Sequence, residues 1–296
     1  MSFASQVKAE LCRAGIGKKC CAVAESFGVL LFGNTFSPQL IRVVTESADF
    51  AARLPKLFQR AFHLSFDLTS DEGKKRVFQI TDSEKIAAVF HAFGLSEKTS
   101  VTLHLNYGVL EDECCRSAFV RGAFLSGGSV TDPQKRYHLE LATSHRNAAR
   151  EVDALLLDLN FDAKLTQRSG SSILYFKQSE TIADFLTMAG APIQAMEVMQ
   201  AKMEKDLRNG VNRRVNCETA NLTKVVDAAQ EQILAIRRLE ERGVLDTLPD
   251  KLRQSALLRR ENPEATLQEL AEMMDPPVSK SAINHRMRKL IELAGK

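Results

Sequence analysis

The sequence predicts an α+β protein: a duplicated αββαββα domain followed by an all-α domain that ends in a helix-turn-helix. Three observations predict it. An internal duplication spans residues 20–190, each copy alternates helical and hairpin patterns, and residues beyond 191 carry only helical periodicity. A chain of 296 residues with 44% hydrophobic content is long enough for two or three cores. The expected division is an N-terminal helix or arm (1–19), repeat 1 (20–112), repeat 2 (113–190), a linker helix (191–215) and a helix-turn-helix domain (216–296).

The duplication keeps both order and spacing. Cys20-Cys21 recurs as Cys114-Cys115, and Gly28, Leu31 and Gly33 recur as Gly122, Leu125 and Gly127, all 94 residues later. Ala51-Ala52-Arg53 and Leu68-Thr69 recur 97 residues on, at Ala148-Ala149-Arg150 and Leu165-Thr166. Ser83-Glu84 with Ile86-Ala87, then Gly94, match Ser179-Glu180 with Ile182-Ala183, then Gly190, at an offset of 96. Offsets that differ by so little imply small loop changes between two copies of one unit.

Taken in order, each copy reads the same way. An amphipathic helix precedes the first. The unit opens with a helix (about 21–33 and 114–127), then a short hairpin ending in strands near Leu40–Thr45 and Tyr137–Thr143. A second helix follows (about 48–63 and 145–159). Next comes a hairpin, Leu64–Thr69 turning at Asp71-Glu72-Gly73 into Arg76–Ile80, and Ala163–Arg168 turning at Ser169-Gly170-Ser171 into Ile173–Lys177. A last helix (about 83–93 and 179–189) stops at Gly94 or Gly190, where glycine suits a C-cap. The first helix of each copy carries an interior glycine, which costs about 1 kcal/mol against alanine. Close approach of the two first helices across a pseudo-two-fold axis would offset that cost.

Beyond the repeats, Pro192 opens a helix, Ile193–Leu207, whose Met196, Met199 and Met203 form a stripe read as core or inter-domain packing. Asn209-Gly210 is expected to end it. Arg213, Arg214 and Asn216 follow, as phosphate contacts or as solvated linker. A helix over Thr219–Arg242 carries Leu222, Val225, Val226, Ala229, Ile233, Ile236 and Leu239 as an apolar face. After Gly243, Pro249–Arg260 forms another helix with Leu252, Ala256 and Leu257 inward, stopped by Asn262-Pro263.

The last stretch is the most informative. Thr266 can cap a helix with Leu267, Leu270, Ala271 and Met274 at helical spacing, and Asp275-Pro276-Pro277 stops it. Ser279 caps a second helix that buries Ile283, Met287 and Leu290. Lys280, Ser281, Asn284, His285 and Arg288 are left on an outward arc, and Ser279 and Lys289 flank it. Small Ala271 sits where the two helices of a helix-turn-helix must approach closely. Asn and Arg behind a capped N-terminus are the groups that a major-groove helix uses on base edges and phosphates. An ordinary helical hairpin with a solvated face is the alternative.

Charge agrees. Residues 279–296 carry five basic groups and one acidic, whereas residues 1–190 hold 22 Lys and Arg against 21 Asp and Glu. The net +3 of the chain is therefore concentrated at its C-terminal tip, the part suited to double-stranded DNA. Membrane partners are not expected, since no apolar run reaches spanning length. Six cysteines without Cys-x-x-Cys spacing argue for reduced, mostly packed thiols in a cytoplasmic protein and against a zinc site, with a redox role for the two adjacent pairs left open. The six histidines make no ligand pattern, and His104, in a strand-like Val-Thr-Leu-His-Leu, reads as a surface or satisfied core residue. No metal and no cofactor are expected.

The interior glycines also carry a resemblance. Gly122-Ala-Phe-Leu-Ser-Gly-Gly-Ser-Val130 and, more degenerately, Gly28-Val-Leu-Leu-Phe-Gly-Asn-Thr-Phe36 resemble the LAGLIDADG motif of homing endonucleases, whose fold has this αββαββα order. In that family the residue before the motif's final glycine is an acidic metal ligand in each copy. Here those positions are Gly33 and Gly127, so the resemblance implies the fold without the catalysis. Further, Asn216-Cys-Glu-Thr-Ala-Asn-Leu222, the Asn262-Pro-Glu turn and Val278-Ser-Lys-Ser-Ala-Ile-Asn-His-Arg-Met-Arg-Lys-Leu290 are similar to the WhiA family of Gram-positive regulators. That resemblance covers the whole chain and implies a transcription regulator of sporulation, cell division or chromosome segregation, with RNA polymerase or another regulator as a further partner. Three classes of function remain: a DNA-binding regulator, a division- or chromosome-associated scaffold, and a nuclease, the last opposed by Gly33 and Gly127.

Overall fold

A computed structural model describes residues 2–96 and 102–295. The chain divides into two compact units, residues 1–205 and 206–296.

In the first unit, α1 (Phe3–Arg13) precedes two copies of one motif. Copy one runs α2 (Lys19–Leu31), β1 (Thr35–Ser37), β2 (Leu40–Thr45), α3 (Ala48–Phe62), β3 (Leu68–Glu72), β4 (Lys75–Ile80) and α4 (Ser83–Ala92). Copy two runs α5 (Glu113–Gly127), β5 (Gly128–Val130), β6 (Leu139–Thr143), α6 (Arg146–Asp158), β7 (Lys164–Arg168), β8 (Ser171–Phe176) and α7 (Ser179–Ala189). Both antiparallel sheets have one order, β1-β2-β4-β3 and β5-β6-β8-β7. The predicted αββαββα duplication is thus the observed fold.

The hairpins close more tightly than the sequence suggests. Glu72 pairs with Lys75 and Arg168 with Ser171, leaving two-residue turns at Gly73-Lys74 and Ser169-Gly170. Ser169 and Gly170 both take positive φ, 48° and 82°, which matches the twist of the flanking strands. Leu64 and Phe66, expected in the first strand, instead lie before β3 and pack against the core. Leu103 and Leu105 alternate inward as a strand would, yet 102–106 is not a strand; Val101, the start of that expected strand, lies outside the described residues. His104 is a surface residue, with Nδ1 2.7 Å from Glu151 Oε1.

What fixes the unit is the contact between α2 and α5. A Cβ on Gly28 would overlap the Phe119 carbonyl oxygen and lie 2.7 Å from Ala123 N. One on Gly122 would overlap the Glu25 carbonyl oxygen and lie 3.0 Å from Val29 N. The two backbones therefore touch, and the interior glycines are the reason they can. Around this seam Phe27 stacks on Phe93, with centroids 4.4 Å apart, and Phe119 meets Phe27 edge-on.

Beside the seam lies a buried ion pair that the repeats do not share. Arg53 grips Glu25 with two hydrogen bonds of 2.6 and 2.9 Å, and its Nη1 donates to the carbonyls of Cys12 and Ala14 at the C-terminal end of α1. Burial opposes the charge on Arg53, but the Glu25 carboxylate outweighs it and leaves the guanidinium above its usual pKa. The repeat-related Arg150 is exposed. Glu10 ties α1 to the start of the next helix by accepting from Ile193 N (2.8 Å) and Gln194 N (3.0 Å), the free donors of its first turn.

That helix, α8, runs unbroken over Pro192–Glu241 and corrects two expectations. Asn209-Gly210 does not end it: Gly210 has no positive φ, unlike Gly243, which caps the real end at φ 69°. One glycine costs about 1 kcal/mol and does not stop a helix without a left-handed cap or a following proline. The methionine stripe is not core. Met196 and Met203 are 73% and 66% exposed, and Leu222, Val225 and Val226 also face solvent. On α8, Ala195, Val198 and Ala201 are buried near its start, and burial resumes at Ala229 and continues through Gln232, Ala235, Ile236 and Leu239 into the core of the second unit.

The second unit adds α9 (Asp250–Glu261), α10 (Leu267–Glu272) and α11 (Lys280–Ala294), packed on Leu245, Ala256, Leu270, Ala271, Met274, Ile283, Met287, Leu290 and Ala294. Among the described residues no helix is long and apolar enough to cross a membrane.

Replacing Gly28 or Gly122 by alanine should destabilise the protein by about 2–4 kcal/mol in urea titration, although alanine is the better helix former. A gain in stability at either site would contradict the backbone contact. A second expectation concerns acid. Asp67 accepts from Lys85 Nζ and from the N–H groups of Asp82 (2.9 Å) and Thr81 (2.7 Å), and these hold its carboxyl at about 2. Because the folded value is depressed, its stabilising effect is complete above the unfolded value near 4 and disappears as pH falls toward 2. The stability gap between wild type and Asp67→Asn should therefore narrow across that window.

Candidate nucleic-acid interface

The helix-turn-helix assembles as its sequence requires. Thr266 Oγ1 accepts from Glu269 N at 3.2 Å while Glu269 Oε2 accepts from Thr266 N at 2.7 Å, a reciprocal capping box that opens α10. These same Thr266 groups hold the Glu269 carboxyl below the usual range. Small, fully buried Ala271 lets the chain fold back closely enough for Val278 N to donate to the Ala271 carbonyl at 3.0 Å. Ser279 Oγ then caps α11 by accepting from Ala282 N at 3.2 Å.

Ile283, Met287, Leu290 and Ala294 bury one face of α11. Ser279, Lys280, Ser281, His285, Arg288 and Lys289 are exposed and Asn284 is half-buried, so all seven singled-out residues lie off the core face. Lys289 leans on Glu292 at 2.9 Å, whereas Lys280 and Arg288 sit on the arc that begins at the capped N-terminus.

Two arginines that sequence reasoning passed over brace this unit, one of them through α11 itself. Arg286 Nη1 donates to Ser255 Oγ of α9 at 3.3 Å. Its position between buried Ile283 and Leu290 was the available signal. Arg259, 2% exposed, donates to Gln232 Oε1 (3.0 Å) and to the carbonyls of Pro263 (3.4 Å) and Ala265 (2.5 Å). It thereby joins α8, α9 and the approach to α10. Burial among neutral oxygens lowers its pKa. Nothing in the local sequence marks it.

The relatives agree with this architecture. The family profile of the WhiA C-terminal HTH domain matches residues 211–294, and that of the WhiA LAGLIDADG-like domain matches residues 116–208. A probable cell division protein WhiA from Ruminiclostridium cellulolyticum is 41% identical, covering 99% of this chain and 97% of that one. Another from Alkaliphilus metalliredigens is 36% identical, over 99% and 98%. The chain belongs to the WhiA family. The crystal structure of full-length DUF199/WhiA from Thermatoga maritima superposes with a TM-score of 0.61 at 25% identity, covering 100% of this chain and 98% of that one.

In this WhiA chain the LAGLIDADG-like motifs end at Gly33 and Gly127, at the exits of α2 and α5. A Cβ on Gly127 would overlap the Ala142 carbonyl and lie 3.0 Å from Phe32 Cβ; one on Gly33 would lie 2.9 Å from the Val29 carbonyl. A side chain at Gly127 would thus run into the neighbouring strand's backbone, and one at Gly33 would crowd the preceding turn of α2. On the sheets, Arg42 pairs with Glu72, Arg76 with Asp71 and Arg168 with Glu140. The arginines on these strands are thus matched by acids on the same sheets.

The cysteines depart from expectation. The duplication carries Cys20-Cys21 and Cys114-Cys115 to the first turns of α2 and α5, and the four sulfurs lie within 4.8 Å of one another. All are free thiols. Burial, then a hydrogen bond with Cys114, pushes Cys21 up to about 11, and burial likewise raises Cys115. The absence of Cys-x-x-Cys was a poor guide because the grouping is made by the repeat. The 94-residue offset, together with helices that touch at their glycines, was the signal.

Gly127→Asp should destabilise the protein by about 2–4 kcal/mol in thermal or urea unfolding, through overlap with the Ala142 carbonyl. A stably folded Gly127→Asp variant would show that the position is more open than its backbone neighbours indicate.

Proposed function

We propose that this chain is a sequence-specific DNA-binding transcription regulator that reads double-stranded DNA with α11. The observation that carries the reading is the arc of Lys280, Ser281, Asn284, His285 and Arg288 on a helix whose capped N-terminus is free and whose opposite face is locked into a core. Asn284 and Arg288 reach for base edges, adenine and guanine being their natural bidentate partners. Lys280 and Ser281, with the helix N-terminus, hold phosphate. His285 and Lys289 flank the contact.

The LAGLIDADG-like domain is, in this reading, not a nuclease. It lacks both carboxylates at Gly33 and Gly127, and its strand arginines are already matched by acids. An auxiliary role follows, with RNA polymerase or another regulator as its partner. The related proteins are named for cell division, which supports a regulated process in division; sporulation or chromosome segregation, and a place on the nucleoid, belong to the same proposal. A division- or chromosome-associated scaffold is the second reading, favoured by the near-neutral first unit.

Genome-wide mapping of bound sites in wild type and α11 variants, followed by binding to a mapped site, tests the proposal. Asn284→Ala or Arg288→Ala should weaken the specific site by about 1–3 kcal/mol and spare non-specific binding. Lys280→Ala should weaken binding to all sequences and lower the salt slope by about 1. The isolated first unit should bind DNA poorly, and the whole chain should leave plasmid intact with Mg²⁺ or Mn²⁺. Site selectivity retained by the first unit alone, or unaffected by the Asn284 and Arg288 variants, would refute this assignment.

A further inference from the structure

We propose that Cys20, Cys21, Cys114 and Cys115 together bind one thiophilic divalent cation, Zn²⁺ foremost, in a closed thiolate site that joins the N-termini of α2 and α5. Four sulfurs contributed by two elements lie mutually within 4.8 Å. Around a tetrahedral Zn²⁺, with Zn–S bonds near 2.3 Å, ligand sulfurs sit about 3.8 Å apart, so small side-chain movements complete the geometry. A four-iron cluster places each thiolate on a different iron and spreads the sulfurs farther, which makes a single ion the better occupant.

Position and chemistry support the same reading. Cys20 and Cys21 are the second and third residues of α2, and Cys114 and Cys115 occupy the same places in α5. Neither helix start has a side-chain cap, so both present free N–H groups and the positive end of a helix dipole to anionic sulfur. The helices are held in register by the backbone contacts at Gly28 and Gly122, which bring the two cysteine pairs together before any ion arrives. Cys20 and Cys114 are exposed, and an open cleft lined by Lys19, Cys20, Asp112 and Cys115 gives an ion access. Binding releases the four thiol protons to solvent and leaves a complex of net charge −2. Lys19 at the cleft, and Arg121, which lies within electrostatic reach of Cys21, oppose that charge, while Glu111 and Asp112 at the same cleft add to it.

With four protein ligands the ion has no open position for substrate, so its role is structural. It clamps the two repeats at one end of the α2–α5 pair. This site is independent of α11 and stands whether or not the DNA-reading proposal does.

Full-length protein purified under reducing conditions should contain one zinc per chain by elemental analysis. Its Co²⁺ form should show thiolate-to-metal charge transfer and the intense visible bands of tetrahedral coordination. Cys20→Ser and Cys114→Ser, both at exposed positions, should weaken metal binding by more than the roughly 10- to 100-fold seen on losing an outer-shell partner. Cys217→Ser, in the second unit, should leave binding unchanged. Zinc should raise the melting temperature of wild type and not of the Cys20→Ser/Cys114→Ser double variant. Three results would overturn the site: freely reactive thiols with neither zinc nor the cobalt spectrum, a disulfide joining the repeats in reduced preparations, or full metal content in the double variant.

Discussion

The backbone contact between α2 and α5 is the constraint on which the first unit depends. Gly28 and Gly122 each face the partner helix's main chain at a separation that admits no side chain. Everything carried by those helices inherits the resulting axis: two four-stranded sheets of identical order, the phenylalanine cluster over the seam, and the meeting of two cysteine pairs distant in sequence. Small residues at a helix crossing usually adjust packing; here they set the symmetry of the unit. The buried Arg53–Glu25 pair is a local departure from that symmetry, since repeat-related Arg150 faces solvent and position 119 is phenylalanine.

The second unit is held differently. Its core is small, and polar contacts do much of the orienting. Arg259 reaches carbonyls on the approach to α10 while bonding Gln232 of α8, and Arg286 ties α11 to α9 through Ser255. A buried guanidinium satisfied by fixed carbonyls is directional where apolar packing is not, and breaking it would leave a charge stranded in the core. Arg286 thus holds α11 from behind while Arg259 braces the segments around it, and neither draws on the outer arc of α11.

Charge is partitioned between the units in a way that fits those roles. The C-terminal tip carries the chain's excess of positive charge, while the strand arginines of the first unit are offset by Glu72, Asp71 and Glu140. A surface matched in this way grips phosphate weakly whatever its curvature.

The sequence by itself determined the element types, their order, the duplication and the buried face of α11, because periodicity, caps and turn residues are properties of neighbours in the chain. It also anticipated the close approach at Gly28 and Gly122, since an unfavourable residue repeated at equivalent positions demands a reason. Only the tertiary structure decided what depends on distance in space. Asn209-Gly210 looked like a stop, yet α8 continues because Gly210 never turns left-handed. Met196 and Met203 had the spacing of a core stripe and are exposed, because periodicity names a face without saying what covers it. Gly127 read as a missing carboxylate; the fold adds that the Ala142 carbonyl closes the space where one would stand. The four cysteines, 94 residues apart as pairs, become neighbours only when the two helices touch, since a cluster contributed equally by two repeats has no local spacing to read.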